Sequence, residues 1–329
     1  MSNIRRFCEE HVNANGHDIA LTTSATAACE AGILALAPEA DVVLYTDLAH
    51  PNVVHAIESA SRIISGLRGE AFTSAMVCLR DLVTPGIDAA TLAVRISDAL
   101  LAATKDQRAI VVLEHVAYEE GLRIPIDAIC EVFEGGPNQL LIDAAQAIGV
   151  WQPRNQLKAN VFGCFHKFIG APAGTGFLAL RDRSERLPYS IGYTIHPEQP
   201  LDFPTTDIRK WEQTSLAINR LTERFGDAAK TEEEVRHFME RLRRHLSPLT
   251  STLDDVTDPE LRSHILTVQL ASTEQAHRVV EELASHNVRV QEFRNRVRVS
   301  MGAQSRLADA QRIGSLLSHA VQSARLHTR

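Results

Sequence analysis

The sequence predicts an α/β protein: a mostly parallel sheet sandwiched by helices, followed by a smaller C-terminal α/β unit. Three observations predict it. Short apolar runs alternate with helical stretches through the first two hundred residues, the pattern of strands paired in parallel and covered on both faces. A proline-containing stretch without periodicity, Ile191 to Lys210, interrupts that alternation. Beyond it, an amphipathic segment opens a second, shorter run of strands and helices.

The strands of the first unit are read at Asp41 to Tyr45, Ala109 to Glu114, Leu140 to Asp143, Val161 to Phe165 and Gly176 to Leu180. Each is short and apolar, as a strand buried on both faces must be, and each runs into a polar or Gly/Pro-containing loop. A helix fills Ala89 to Ala103. The Ile191 to Lys210 stretch reads as an irregular excursion near a site or a subunit contact. Thr231 and Glu234 have capping-box spacing, and Val235, Phe238, Met239, Leu242 and Leu246 recur at helical spacing behind them. That helix opens the smaller unit, so the boundary is drawn between residues 1–226 and 227–329. A strand at Ile265 to Leu270, a helix from Glu274 to Ser285, strands around Val288 to Gln291 and Val297 to Ser300, and a terminal helix complete it.

The bulk numbers narrow the function classes. A net charge of -7 with scattered Lys and Arg argues against a nucleic-acid groove or a membrane-surface patch, leaving a small-molecule partner as the expectation. No stretch approaches the ~20 apolar residues of a membrane span, and the N-terminal residues lack the apolar core of a signal peptide, so a cytoplasmic location is expected. The five cysteines are widely spaced without a CxxC pair, so they read as reduced thiols with no metal site. No GxGxxG follows the first strand, which disfavours a nicotinamide enzyme.

In open α/β sheets ligands bind beyond the carboxyl ends of the strands, so those ends carry the most information. From Leu140 to Leu180, Asp143 ends one strand, Gln146 follows three residues later, and the pair His166-Lys167 follows another strand ahead of a Gly/Pro-rich loop. This combination resembles the class V aminotransferase family, which includes cysteine desulfurases, isopenicillin N epimerase-like enzymes and kynureninase-like enzymes. The resemblance extends from about Ile19 to about Gly302, with close matching confined to separated motifs. It implies fold type I, a mostly parallel seven-stranded-type sheet, and pyridoxal 5'-phosphate (PLP) as cofactor.

The roles follow from the resemblance and from cofactor chemistry. Lys167 would hold the cofactor as a Schiff base and then act as general base at the substrate α-carbon. Asp143 would face the pyridine nitrogen and keep it protonated, making the ring an electron sink. Gln146 would hydrogen-bond the phenolic oxygen, and His166 would lie beside the lysine near the phosphate. The Thr-rich turn LTTSATAACEAG, where Ser24 stands in place of a family glycine, would offer the Ala25 backbone and the Thr26 hydroxyl to the phosphate; as a Ser/Thr run before a helix it reads equally as a plain cap. His50, in a His-Pro-Asn segment, matches the histidine that stacks on the ring, and His55 is a weaker candidate. Tyr118 stands where desulfurases carry Asn and would contact cofactor or substrate. Thr214 takes the threonine position of a Gly-Thr pair that reaches a neighbouring subunit's phosphate, with Gln213 in place of the glycine, which implies a homodimer with shared active sites. Arg298, in NRVRVS, matches the arginine that forks onto the substrate carboxylate; Arg296 on the same strand face is its competitor.

The departures shape the expected chemistry. No cysteine precedes Arg298 in SHNVRVQEFRNRVRVS, so persulfide chemistry of the desulfurase kind is not expected. Cys164 stands where relatives often place a phosphate-binding serine, and the stretch before the phosphate turn is short, so substrate gating is expected to differ. The reading is an amino-acid-transforming PLP enzyme that abstracts the α-proton, leaning to an aminotransferase of a biosynthetic pathway. A carbon-sulfur lyase or an epimerase shares the first step. A degenerate, non-catalytic dimeric scaffold is the alternative of another class.

Overall fold

The computed structural model describes residues 2–181, 207–246 and 256–326. Seven strands form one sheet: β1 (Asp18–Thr22), β2 (Val42–Thr46), β3 (Thr73–Val77), β4 (Ala109–Glu114), β5 (Gln139–Asp143), β6 (Asn160–Cys164) and β7 (Gly176–Leu180). Their order is β1-β7-β6-β5-β4-β2-β3, with β7 antiparallel to both of its neighbours and the pairs from β6 to β3 all parallel. The five strands read from sequence are all present, within a residue of the expected bounds. β1 and β3 were not anticipated. β3 is an edge strand whose residues are mostly exposed, so it lacks the apolar run that marks a buried strand.

Helices α1 (Ser2–His11), α2 (Ala25–Leu36), α3 (Pro51–Arg68), α4 (Ala89–Thr104), α5 (Ile126–Phe133) and α6 (Ile208–Phe225) cover the sheet. On one face α2 and α3 pack over Val43, Ile110, Val112, Leu141, Phe162 and Leu178. The alternate residues Leu44, Val111, Leu113, Ile142 and Val161 point into the larger core on the opposite face, as the period-two geometry of a strand requires. The sheet is thus covered on both faces. Gly163 marks how tightly: a Cβ there would lie 2.7 Å from the Phe177 ring and 3.3 Å from the Ala144 carbonyl carbon.

The chain continues with α7 (Ala228–Leu246), β8 (Ile265–Gln269), α8 (Thr273–Ser285), β9 (Gln291–Phe293), β10 (Arg296–Ser300) and α9 (Leu307–Leu326), whose strands form an antiparallel sheet of order β8-β10-β9. The expected capping box is not the helix start. α7 begins at Ala228, where Asp227 Oδ1 accepts the Lys230 N–H, and Thr231 lies one turn inside with its hydroxyl donating to the Asp227 carbonyl. An Asp cap competes for the same orphan N–H groups and supplies negative charge at the positive helix end. The excursion expected over Ile191 to Lys210 lies outside the described residues, apart from 207–210, which cap and open α6.

Trp151 joins segments distant in sequence. The guanidinium groups of Arg123 (4.8 Å) and Arg236 (5.4 Å) both lie over its ring, and its Nε1 donates to His264 Nδ1 at 3.1 Å. Gly121 is forced by the same junction. Its φ is +72°, and any Cβ would meet the Ile265 carbonyl oxygen at 2.4 Å. Among the described residues no helix is long and apolar enough to cross a membrane.

Candidate active site

The carboxyl ends of β1, β2, β4, β5 and β6 converge on one side of the sheet, where register brings Thr22 and Cys164 both opposite Gly176, and Asp143 opposite Glu114 and Phe162. Asp143 is the last residue of β5 and only 8 % exposed. One of its oxygens accepts the Ala145 N–H at 2.8 Å. Burial raises its carboxyl to about 6, opposed by that hydrogen bond and by the Lys167 ammonium. Gln146 is buried in the turn that follows.

Lys167 follows β6 and is half-buried. Its charge acts on Asp143, Cys164, His166 and His50, which places its amine among them. His166 Nδ1 is buried without a hydrogen-bond partner, and burial lowers its imidazole, with Lys167 adding to the effect. Cys164 lies 3.9 Å from His166 Nε2; burial pushes its thiol up to about 12, so it is a packing group and not a nucleophile.

His50 caps α3, its Nδ1 accepting the Asn52 N–H at 3.1 Å, and it packs edge-on against Tyr118 with ring centroids 4.6 Å apart. Burial lowers its imidazole first, then the charges of Lys167 and Arg298, so the ring is neutral near pH 7. Tyr118 in turn meets Phe293 at 5.8 Å. His55 points to solvent on α3 beside Glu58. Ala25 and Thr26 open α2 behind the cap made by Ser24, whose hydroxyl accepts the Ala27 N–H. As first-turn residues their N–H groups have no carbonyl one turn back, which leaves them for an anion.

The second sheet contributes Arg298 on β10, 9 % exposed. It donates to the Tyr118 carbonyl and to Gln291 Oε1, its guanidinium lies over the Phe293 ring at 5.2 Å, and its Nε is buried without a partner. Arg296, two residues earlier, is different: it forms an ion pair with Glu119 at 2.8 Å and donates to Gln269 at 2.8 Å. Arg298 is therefore the arginine whose charge is left for an incoming carboxylate.

Thr214, which the resemblance directs to a neighbouring subunit's phosphate, lies next to Thr175, the residue before β7. It lies inside α6, fully buried, with its hydroxyl donating to the Lys210 carbonyl at 2.8 Å and 3.5 Å from Thr175 Oγ1. Sequence reasoning also missed Gln291 and Phe293, which hold Arg298, and Glu114, which ends β4 beside Asp143. Glu114 was legible by the same rule that found Asp143, a carboxyl closing an apolar strand.

The donor set fits PLP. A buried carboxyl, an amine within its field, a neutral histidine over the same space, an unpartnered guanidinium nitrogen and a helix N-terminus surround one region, and these are the groups that a pyridine ring, an aldehyde, a substrate carboxylate and a phosphate call for.

The sequence profile of the class V aminotransferase family matches residues 81–310. No curated protein sequence matches the chain. Among solved structures, a C-DES variant with glycine covalently linked to its PLP cofactor superposes with a TM-score of 0.72 at 19 % identity, covering 97 % of this chain and 84 % of that one. The cystine C-S lyase C-DES with its product cysteine persulfide gives 0.71 at 20 %, covering 96 % and 85 %. A serine palmitoyltransferase from Sphingomonas wittichii gives 0.68 at 15 %, covering 99 % and 77 %. The seven-stranded, mostly parallel sheet is the fold type I sheet of these structures. With more than half of its length matched by the family profile, the chain belongs to the class V aminotransferase family.

Proposed function

We propose that this chain is a PLP-dependent enzyme that acts on an amino acid by removing its α-proton, in the cytoplasm and as a homodimer, with transamination as the favoured outcome. The observation that carries it is the joint placement of Asp143, Lys167 and Arg298 around one region: a buried carboxyl, an amine and a buried arginine whose Nε has no partner. Residues 1–226 supply the cofactor side, and residues 227–329 supply the arginine. The family likeness supports the dimer, with Thr214 as the residue proposed to reach the neighbouring subunit's phosphate.

Bound PLP supplies the electron withdrawal that makes an α-proton removable. The protein's part is positional. Asp143, ionised and shielded from water, holds a proton on the ring nitrogen. Arg298 fixes the substrate carboxylate through charge-assisted hydrogen bonds, which orients the α-C–H toward Lys167 Nζ. The Lys167 amine takes that proton and can return it, and where it returns decides the product. His50, whose imidazole burial disfavours charging, would lie against the cofactor ring without adding a charge. The second reading is carbon-sulfur elimination, the activity of C-DES, which begins with the same proton abstraction.

The test is reconstitution with PLP, followed by a panel of amino acids with identification of keto acid, inverted isomer or eliminated thiol. Visible absorption that appears with PLP, is absent in Lys167→Ala and changes with an amino acid substrate is the expected result. A protein that stays colourless with PLP and is unaffected by Lys167→Ala is a scaffold, and the proposal fails.

A further inference from the structure

Asp143 has a neighbour of its own kind. The parallel register of β4 and β5 sets Glu114 directly opposite Asp143, as the last residue of each strand. Residues paired in this way send their side chains to the same face, here the one under α2, so two carboxyl groups leave the sheet side by side. Glu114 is the deeper, at 2 % exposed.

Its hydrogen bonds show which form it takes. Leu48 N–H donates to Thr46 Oγ1 at 3.1 Å, and the Thr46 hydroxyl donates its single proton to Glu114 Oε2 at 2.6 Å. Glu114 Oε1 is buried and has no partner. An ionised carboxylate here would have only neutral donors, the Thr46 hydroxyl and its own backbone N–H, an oxygen without a side-chain or backbone partner and no cation acting on it, beside a second carboxyl; such a charge is costly to bury. The titratable groups whose charges are coupled to it are Asp143 from β5, Asp47 just beyond β2 and Cys29 from α2, all acidic. Burial pushes the Glu114 carboxyl up to about 8, and the Asp143 and Asp47 charges add to that. Lys167 acts on Asp143, so of the two carboxyls Asp143 takes the charge and Glu114 the proton.

We propose that Glu114 is a positioning residue for Asp143: it keeps a proton on Oε1, so that the pair carries one negative charge, on Asp143, beside the position of the cofactor's ring nitrogen. Loss of that proton in mild alkali doubles the charge and tightens the hold on a cationic ring. The inference rests on the reading of Asp143 as the ring-nitrogen partner.

The probe is pyridoxine 5'-phosphate, which has the ring and the phosphate but no aldehyde for Lys167. Its Kd is measured from about pH 6.5 to about 9.5 in the wild-type chain, Glu114→Gln and Thr46→Val. Gln mimics the protonated acid but cannot ionise, so the ratio of Kd in Glu114→Gln to Kd in wild type should rise by about threefold or more across this range, the least expected of one added charge in a buried site. Thr46→Val, which removes the donor to Glu114, should move the rise to higher pH without abolishing it. A ratio that stays flat or falls overturns the proposal, as does a Thr46→Val profile identical to wild type. Asp143→Asn separates the two readings. If it leaves Kd unchanged, the ring-nitrogen assignment fails; if it weakens binding while the Glu114→Gln ratio stays flat, only the role of Glu114 fails.

Discussion

Replacing Asp143 by Asn is expected to stabilise the cofactor-free protein while weakening its grip on PLP. Burial lifts the Asp143 carboxyl from its ordinary 3.8 to about 6, so the folded chain holds a proton that the unfolded chain has already released. The associated stability is fully present below about pH 4, is lost as pH rises to about 6, and stays lost above that. At about 1.36 kcal/mol per pH unit the loss amounts to about 3 kcal/mol at neutral pH. Asn keeps an oxygen for the Ala145 N–H and has no charge to desolvate, so it escapes the loss. Urea unfolding of the two cofactor-free proteins should therefore give equal stabilities near pH 4 and a gap opening to about 3 kcal/mol by about pH 7, on the order of 5 °C in Tm for a chain of this size. Adding PLP should reverse the ranking, because only a carboxylate pairs with a protonated ring nitrogen. Parallel pH profiles for wild type and Asn variant would refute the burial argument, and an unreversed ranking with PLP would refute the assignment of Asp143.

Two further expectations rest on single contacts. Arg298→Lys removes the fork and leaves Gln291 and the Tyr118 carbonyl without their donor, so KM for the amino acid should rise by about 10- to 100-fold, whereas Arg296→Lys keeps a cation for Glu119 and should change KM by less than about threefold; steady-state kinetics on both variants decides it, and equal effects sink the assignment. Gly121→Ala forces a left-handed φ on a residue with a Cβ and drives it onto the Ile265 carbonyl, so stability should fall by about 2 kcal/mol or more in urea titration, and an unchanged midpoint would contradict the junction described between the two sheets.

The sequence determined what is local. Apolar runs bounded by turns located the five central strands to within a residue, because a strand buried on both faces must be apolar throughout. The same runs placed Asp143 and the pair His166-Lys167 at strand ends, where ligands bind in an open sheet. Locality is also where it erred: Thr231 has the spacing of a cap, but Asp227 takes the exposed N–H groups first.

Tertiary structure decided what depends on pairing between distant segments. The motif singled out Arg298 over Arg296, but only the packing of β10 against the Tyr118 to Glu120 loop gives Glu119 to Arg296 and leaves the Nε of Arg298 unpaired. Glu114 and Asp143 are 29 positions apart in sequence, and only the β4–β5 register sets them side by side in a water-excluded layer, where one must keep its proton for the other to keep its charge. The physical reason is the same in both cases. Burial and partner fix the charge state of an ionisable group, and neither is a property of the residue's own stretch of chain.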